Sequence, residues 1–578
     1  MLPAHRPPPA LEHLARLNKS SNPFGKFLTR WILLGLSLVF VFLFAGPAIS
    51  DFIWAPPEFS EFPPAPGMHP HKRPPMKRPP PTPEEQRVWD TKKVEVRDTF
   101  MHAWKGYKTR AFPNDELSTV TGAKTNRFNG WSVTLFDSLS TMWIMNLRDE
   151  FAEAVKSVKG QRFDSAKPSP DVPFFETVIR YLGGTLSAYA LSGDENILRL
   201  ADDLGKVLVP AFNGTKTGLP TFSVNVQNGN INQGGSCLFA EATSCQLEFK
   251  YLAKLTSKKE YYQGAQRAME VFYKENPPNG LFAERYNTED GTPISTHYTV
   301  GATSDSGYEY FLKQWILSGD EQAREQYRKS ANGIIKNLIH ITPNRGLMYV
   351  GIMDRDNISP IFEHLVCFLP GTLMLGVTVL DLTPEERELH EWAAHGLAYT
   401  CYISYADQAT GLGPERLAMV PGERWVDKIA EWRAQGGHGP PPGILESGPQ
   451  SDKDRRDYTN LDGRYLLRPE TVESLFYMWR ITGDPKWRDR AYEIYQAIEK
   501  YTRTELGYAS VNNVDSTTGG NMDEMPSFFL AETLKYLYLI FDDVDNISLN
   551  RWVFNTEAHP LPMLFWTEKE RQTLGISP

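Results

Sequence analysis

Six acidic residues, Asp137, Glu176, Glu241, Asp305, Glu363 and Glu470, stand in comparable places along this 578-residue sequence, each 10 to 19 residues before a short recurring helix breaker. If the helices that carry them run the same way, their carboxylates gather at one end of the fold. Taken singly, each could be a helix cap, because acids in a first turn meet free N–H groups and the positive end of the dipole. Several follow apolar neighbours instead (FFET, FAEA, RPET), poor places for charges that are merely solvated. A ring of acids with Phe174, Phe175, Tyr308 and Phe528 nearby is the composition of a sugar site, where carboxylates bind hydroxyls and rings stack on pyranose faces. Paired carboxylates are also the machinery of glycoside hydrolysis, one protonating the leaving oxygen and one activating water. An acidic, all-oxygen pocket further suits a hard cation such as Ca²⁺. Nothing in the chain reads as HExxH, a P-loop or GxSxG.

The elements that must hold these acids are helical. The breakers are NLRD at 146, LSGD at 191, LTSK at 255, LSGD at 317, LTPE at 382 and ITGD at 481. Their Leu or Ile residues follow one another by 44, 64, 62, 65 and 99 residues, and spacing near 63 is two helices and two connections. The long last interval contains a Gly/Pro-rich insertion from Gly411 to about Asp462. Before each breaker the run is apolar nearly all round, as in ETVESLFYMWRI. After it the run is amphipathic, as in Trp487, Ala491, Ile494, Ile498 and Tyr501. The first kind is buried on every side and the second has a wet face. Alternating inner and outer helices describe an all-α, α/α-barrel domain, with an open helical solenoid as the structural alternative.

Upstream, Trp31 to Ile49 is uncharged and just long enough to cross a bilayer, with Lys26 and Arg30 before it and Asp51 after. The charge bias puts a tail, 1–30, in the cytosol, a signal-anchor over 31–50 in the membrane, and the rest in the lumen as a single-pass type II protein. A cleaved signal peptide is the rival reading. Twelve prolines in 56–83 make a lumenal stem over 51–86. Sequons at Asn213, Asn357 and Asn546 fit a secretory lumen. The 61 basic and 70 acidic residues leave a net charge of −9, which offers nucleic acid no footprint. Four cysteines are too few for a disulfide scaffold.

Six segments carry a more specific signal: FETVIRYLGG (175–184), SDSGYEYFLKQW (304–315), HLVCFLPGTL (364–373), LLRPETVESLFYMWR (466–480), FFLAETLKYLYLIF (528–541) and FNTEAHPLP (554–562). In that order they resemble the signature segments of class I α-1,2-mannosidases, glycoside hydrolase family 47. The resemblance implies an (αα)7 barrel over 87–568, followed by a C-terminal tail, 569–578. It implies an inverting, Ca²⁺-dependent enzyme that removes terminal α-1,2-mannose from high-mannose N-glycans, in N-glycan processing or glycoprotein quality control. The setting would be the endoplasmic reticulum or Golgi membrane.

Carried over residue by residue, the resemblance makes Glu176 the proton donor, acting through a water, and Glu470 the base. Asp305 and Glu415 match the other catalytic acids, and Thr556 matches the calcium ligand, through hydroxyl and carbonyl. Arg180, Glu241, Arg468, Glu473, Phe528, Glu532 and Glu557 would line the mannose subsite; for the two arginines a structural salt bridge is the alternative. Cys367 and Cys401 match the family's disulfide, while Cys237 and Cys245 are either a second bridge or two free thiols. Thr303 departs from the pattern: endoplasmic-reticulum members carry Arg there and Golgi members Leu, so Thr303 bears on which glycan branch enters. The rival function is a non-catalytic lectin of the same fold that delivers glycoproteins to degradation. Loss of the acid, base or calcium threonine would mark it, and none is lost.

Overall fold

A computed structural model describes residues 81–231, 234–542 and 546–576. The expected cytosolic tail, the signal-anchor over 31–50 and residues 51–80 of the stem lie outside the described residues. Among those described, no helix is long and apolar enough to cross a membrane.

Among the described residues, seven helix pairs build the body. The outer helices are α1 (Pro83–Arg110), α3 (Arg148–Val158), α5 (Glu195–Leu208), α7 (Lys259–Glu275), α9 (Glu321–Asn337), α11 (Pro384–Ala406) and α13 (Lys486–Thr502). The inner ones are α2 (Val133–Ile144), α4 (Gly183–Ser192), α6 (Gln246–Thr256), α8 (Asp305–Ser318), α10 (Leu369–Val379), α12 (Glu470–Thr482) and α14 (Leu534–Phe541). Inner helices pack in sequence, and the π-helical turn Phe529–Thr533 ahead of α14 packs back on α2, which closes the ring. Nearly every residue of α8, α10 and α14 is buried, whereas the outer helices bury one stripe. This is an α/α barrel, not an open solenoid.

All six breakers fall between an inner helix and the outer helix that follows it, and their chemistry is visible. Gly193, Gly319 and Gly483 take positive φ near 72° and end α4, α8 and α12, which costs a residue without a Cβ little. Asp194 and Asp320 then cap α5 and α9, accepting from Asn196 N at 2.8 Å and Ala323 N at 3.1 Å. Thr383 and Glu386 form a capping box for α11. The domain begins slightly earlier than the sequence suggests, because a Thr82–Glu85 capping box starts α1 inside the expected stem. The expected tail from 569 is instead mostly a helix, Glu568–Leu574, tied to α6 by Lys254–Glu570 at 2.7 Å.

Connections from outer to inner helices carry short antiparallel strands that sequence reading passed over. Strands β1 (Ile361–Glu363), β2 (Arg416–Met419) and β3 (Tyr458–Asp462) form one sheet, β1-β2-β3, with Glu363 opposite Arg416. The insertion after Gly411 thus supplies β2, a helix at Trp425–Ala434, and β3. A hairpin, β4 (Trp552–Phe554) and β5 (Pro560–Pro562), enters the barrel and packs on α8 and α4. Phe554 meets the rings of Phe476 and Tyr536 there. Its turn lies so close to α4 that a Cβ on Gly183 would stand 2.5 Å from Asn555 Nδ2.

Candidate active site

Two guanidinium groups organise the carboxylates. Arg180 lies in the π-helical turn Thr177–Leu182 that leads into α4. Its Nε donates to Glu176 Oε2 at 2.8 Å and its Nη1 contacts Glu557 from the β4–β5 turn. The same Nη1 is 3.7 Å from Asp137 of α2. Asp137 is fully buried and accepts from Ser527 and from His559 Nε2. It therefore sits inside α2 as a buried partner, not as a helix cap. Arg468, just before α12, donates through Nε to both Glu415 oxygens at 2.8 Å and stands 3.8 Å from Glu470. Phe528 bridges the two clusters, its ring centre 5.9 Å from the Arg180 guanidinium and 5.8 Å from that of Arg468. Both arginines thus make the buried salt bridges that sequence reading held as the alternative to a mannose-subsite role.

The β1-β2-β3 sheet places the second cluster. Backbone bonds from His364 N to Glu415 O and from Glu415 N to Arg464 O, each 2.9 Å, set the residue after β1 beside the one before β2 and a residue two beyond β3. His364 then reaches α12: its Nδ1 is 2.8 Å from Glu470 Oε2 and its Nε2 is 2.6 Å from the Tyr405 hydroxyl. With the Nδ1 proton directed at the carboxylate, Nε2 accepts from Tyr405. The His364 bond and the Arg468 charge hold Glu470 below the ordinary glutamate range although its burial works the other way. Sequence reading valued HLVCFLPG for its cysteine and missed His364 and Tyr405. The signal was present, since Tyr405 lies one helical turn beyond Cys401.

Asp305 has the opposite environment. It is the first residue of α8, bonded at Oδ1 by Ser306 N at 2.8 Å. Burial, with Glu309, Glu470 and Glu363 nearby, pushes its carboxyl up to about 7. Glu241 rises likewise to about 7, from burial and the charge of Glu176. Glu473 of α12 accepts from Tyr536 and faces Lys313 at 4.0 Å, with its carboxyl pushed up by burial. Burial and the neighbouring Glu557, Glu473 and Glu470 raise Glu532. One site therefore holds carboxylates whose surroundings push their pKa values in opposite directions.

Thr556 occupies the β4–β5 turn, partly exposed, with its N–H donating to the Tyr310 hydroxyl at 3.2 Å. Thr303 lies on the connection into α8 with φ +79°, and its carbonyl accepts from Ala240, next to Glu241. Its hydroxyl is 3.4 Å from Glu284. Two aromatic expectations are corrected. Phe174 packs edge-on to Phe212, and Tyr308 packs on Phe239, both fully in the core rather than open to a sugar. Glu363 ends strand β1 rather than starting a helix, because its segment pairs with Arg416–Met419. Cys367 and Cys401 are bonded, with Cα atoms 5.8 Å apart, while Cys237 and Cys245 are buried free thiols.

An α/α barrel whose carboxylates cluster about Arg180 and Arg468 matches a known family: the chain belongs to glycosyl hydrolase family 47, whose pattern covers residues 99–563. It is 40% identical over 489 residues to the endoplasmic reticulum mannosyl-oligosaccharide 1,2-alpha-mannosidase of Homo sapiens, covering 82% of this chain and 64% of that protein. The chain thus matches slightly under two thirds of that relative's length. Against mannosyl-oligosaccharide 1,2-alpha-mannosidase MNS1 of Arabidopsis thaliana it is 35% identical over 502 residues, covering 85% of this chain and 82% of that one. Among solved structures, the alpha-1,2-mannosidase from Trichoderma reesei superposes with a TM-score of 0.72 at 31% identity, over 82% of this chain and 99% of that one.

Proposed function

We propose that this protein is a calcium-dependent, inverting α-1,2-mannosidase that trims terminal mannose from high-mannose N-glycans in the lumen of the early secretory pathway. The observation that carries it is the contrast between neighbouring carboxylates: Glu470 is held by His364 and Arg468, and Asp305 is buried with Glu309, Glu470 and Glu363 nearby. Glu470, held by His364 and Arg468, keeps its charge and serves as the base that takes a proton from the attacking water. Asp305, pushed up to about 7 by burial and neighbouring acids, is about half protonated at neutral pH. Glu176, positioned by Arg180, is the proton donor: a water between its carboxyl and the glycosidic oxygen passes a proton to that oxygen and takes one from Glu176. Glu415 fixes Arg468, and Arg180, Arg468 and Phe528 form the wall against which a mannose ring would seat.

The residues present suit a calcium ion. The Thr556 hydroxyl has no hydrogen-bond partner among the described residues, and the loop that carries it stands beside Glu557, within the field of Glu532. Those residues hold no group of three carboxylate, histidine or cysteine ligands. Thr556 would therefore hold the ion through hydroxyl and carbonyl, with waters and sugar hydroxyls completing an all-oxygen shell. When bound, the ion would supply positive charge that binds and distorts the mannose. Thr303, short and turned toward Glu284, leaves more room than an arginine would, which favours a cleft open to more than one branch. Anchoring as a type II protein through 31–50 completes the reading, and Asn213, Asn357 and Asn546 are all exposed, as glycosylation requires.

The test incubates the full-length chain in detergent with a nine-mannose N-glycan, with and without EDTA, beside Glu176→Gln. Mannose release that both chelation and the substitution abolish, with the β anomer formed first by NMR, supports the proposal. A folded protein that binds the glycan and releases nothing would make it a lectin.

A further inference from the structure

We propose that Lys535 is a positioning residue for the cation site: from beneath the β4–β5 turn it fixes the Ala558 carbonyl, and so presents Thr556. This rests on the calcium reading above. Lys535 lies in the first turn of α14, three residues after Glu532, and is wholly buried. Its Nζ donates to Ala558 O, two residues beyond Thr556. Burial lowers its pKa to about 7, yet a lysine amine donates this bond charged or neutral.

The turn needs such an anchor. Ala558 has φ +55°, a left-handed conformation that a non-glycine residue keeps only where its surroundings impose it. The other supports run through Asn555, whose carbonyl accepts from Ala558 N at 3.1 Å, so that among the described residues the Ala558 carbonyl is the group Lys535 alone is seen to hold. Asn555 Nδ2 donates to Ile179 O at 3.0 Å and to Glu248 at 2.7 Å, while its Oδ1 accepts from Glu557 and His559 N–H groups. Tyr310 accepts from Thr556 N and donates to Glu248 at 2.8 Å. Thr556 is therefore suspended between the Asn555–Tyr310–Glu248 knot on one side and Lys535 on the other. Without Lys535 the Ala558 carbonyl is buried without that donor, the left-handed turn can relax, and the threonine oxygens lose their fixed aim. Lys535 thus sets how tightly the ion is held without touching it.

The experiment titrates calcium into EDTA-stripped full-length protein by calorimetry and follows the rise in Tm that calcium gives. Lys535→Met is expected to weaken calcium binding at least tenfold and to shrink that rise. Mannose release should return toward the wild-type kcat at saturating calcium, and Lys535→Arg, which keeps a donor, should regain part of the affinity. If Lys535→Met does not fold, Lys535→Gln, with a shorter donor, is read the same way. A purely structural lysine would lower the Tm of the stripped protein while leaving calcium affinity and the calcium-induced rise unchanged, and that result overturns the proposal. Wild-type protein that takes up no calcium would overturn the calcium reading itself, an outcome distinct from a failed variant.

Discussion

Replacing His364 by Phe should convert a held base into a poorly ionised one. Phe keeps a ring, a somewhat larger one, in a pocket where the His364 side chain is 1% exposed, but the bonds to Glu470 and Tyr405 are lost. A hydrogen bond to a charged group contributes about 1.5–3 kcal/mol, so kcat/KM should fall about 10- to 150-fold if all of that support acts on the reactive form. The pH dependence separates this from mere damage. His364 holds the Glu470 pKa down, so its removal lets burial raise it, and the ionised fraction falls on the acid side first. The acid limb of the kcat/KM profile should therefore move to higher pH, with the largest losses at low pH and recovery toward neutrality. Tyr405→Phe removes a neutral bond one step away and should cost about 2- to 12-fold, from about 0.5–1.5 kcal/mol. Mannose release from the same glycan, measured across the mildly acidic to neutral range with thermal unfolding as control, decides. An equal loss at every pH with the acid limb unmoved would refute the reasoning and leave His364 a packing residue.

Removing the disulfide by Cys367→Ser with Cys401→Ser opens a link across a sequence separation of 34. Chain-entropy reasoning puts its stabilisation at about 4 kcal/mol, to be read from denaturant midpoints. The same bridge joins the turn bearing His364 to the helix bearing Tyr405, so activity should fall more steeply than stability alone explains. Gly184→Ala would set a Cβ 2.6 Å from the Phe136 carbonyl oxygen, where α4 crosses α2 beside Asp137. Overpacking of this kind costs about 1–3 kcal/mol, and a denaturant midpoint equal to wild type would show that the two helices do not pack so closely.

The helical hairpins were legible in the chain itself because their signals are local. LSGD ends one helix with a left-handed glycine and starts the next with an aspartate cap, and apolar periodicity separates the nested helices from the outer ones. The acids of FFET, FAEA and RPET were legible too, as charges beside apolar neighbours. The strands were not, since segments as short as Ile361–Glu363 are made by pairing with residues far along the chain. For the same reason sequence did not separate Phe174 and Tyr308, which pack in the core, from Phe528, which lies between two guanidinium groups. Protonation is the furthest removed from sequence. Asp305 and Glu470 are both acids at the start of an inner helix, but the pKa of each depends on its neighbours in space. His364 and Arg468 lie beside one and further carboxylates beside the other, and only the closed barrel brings those neighbours together.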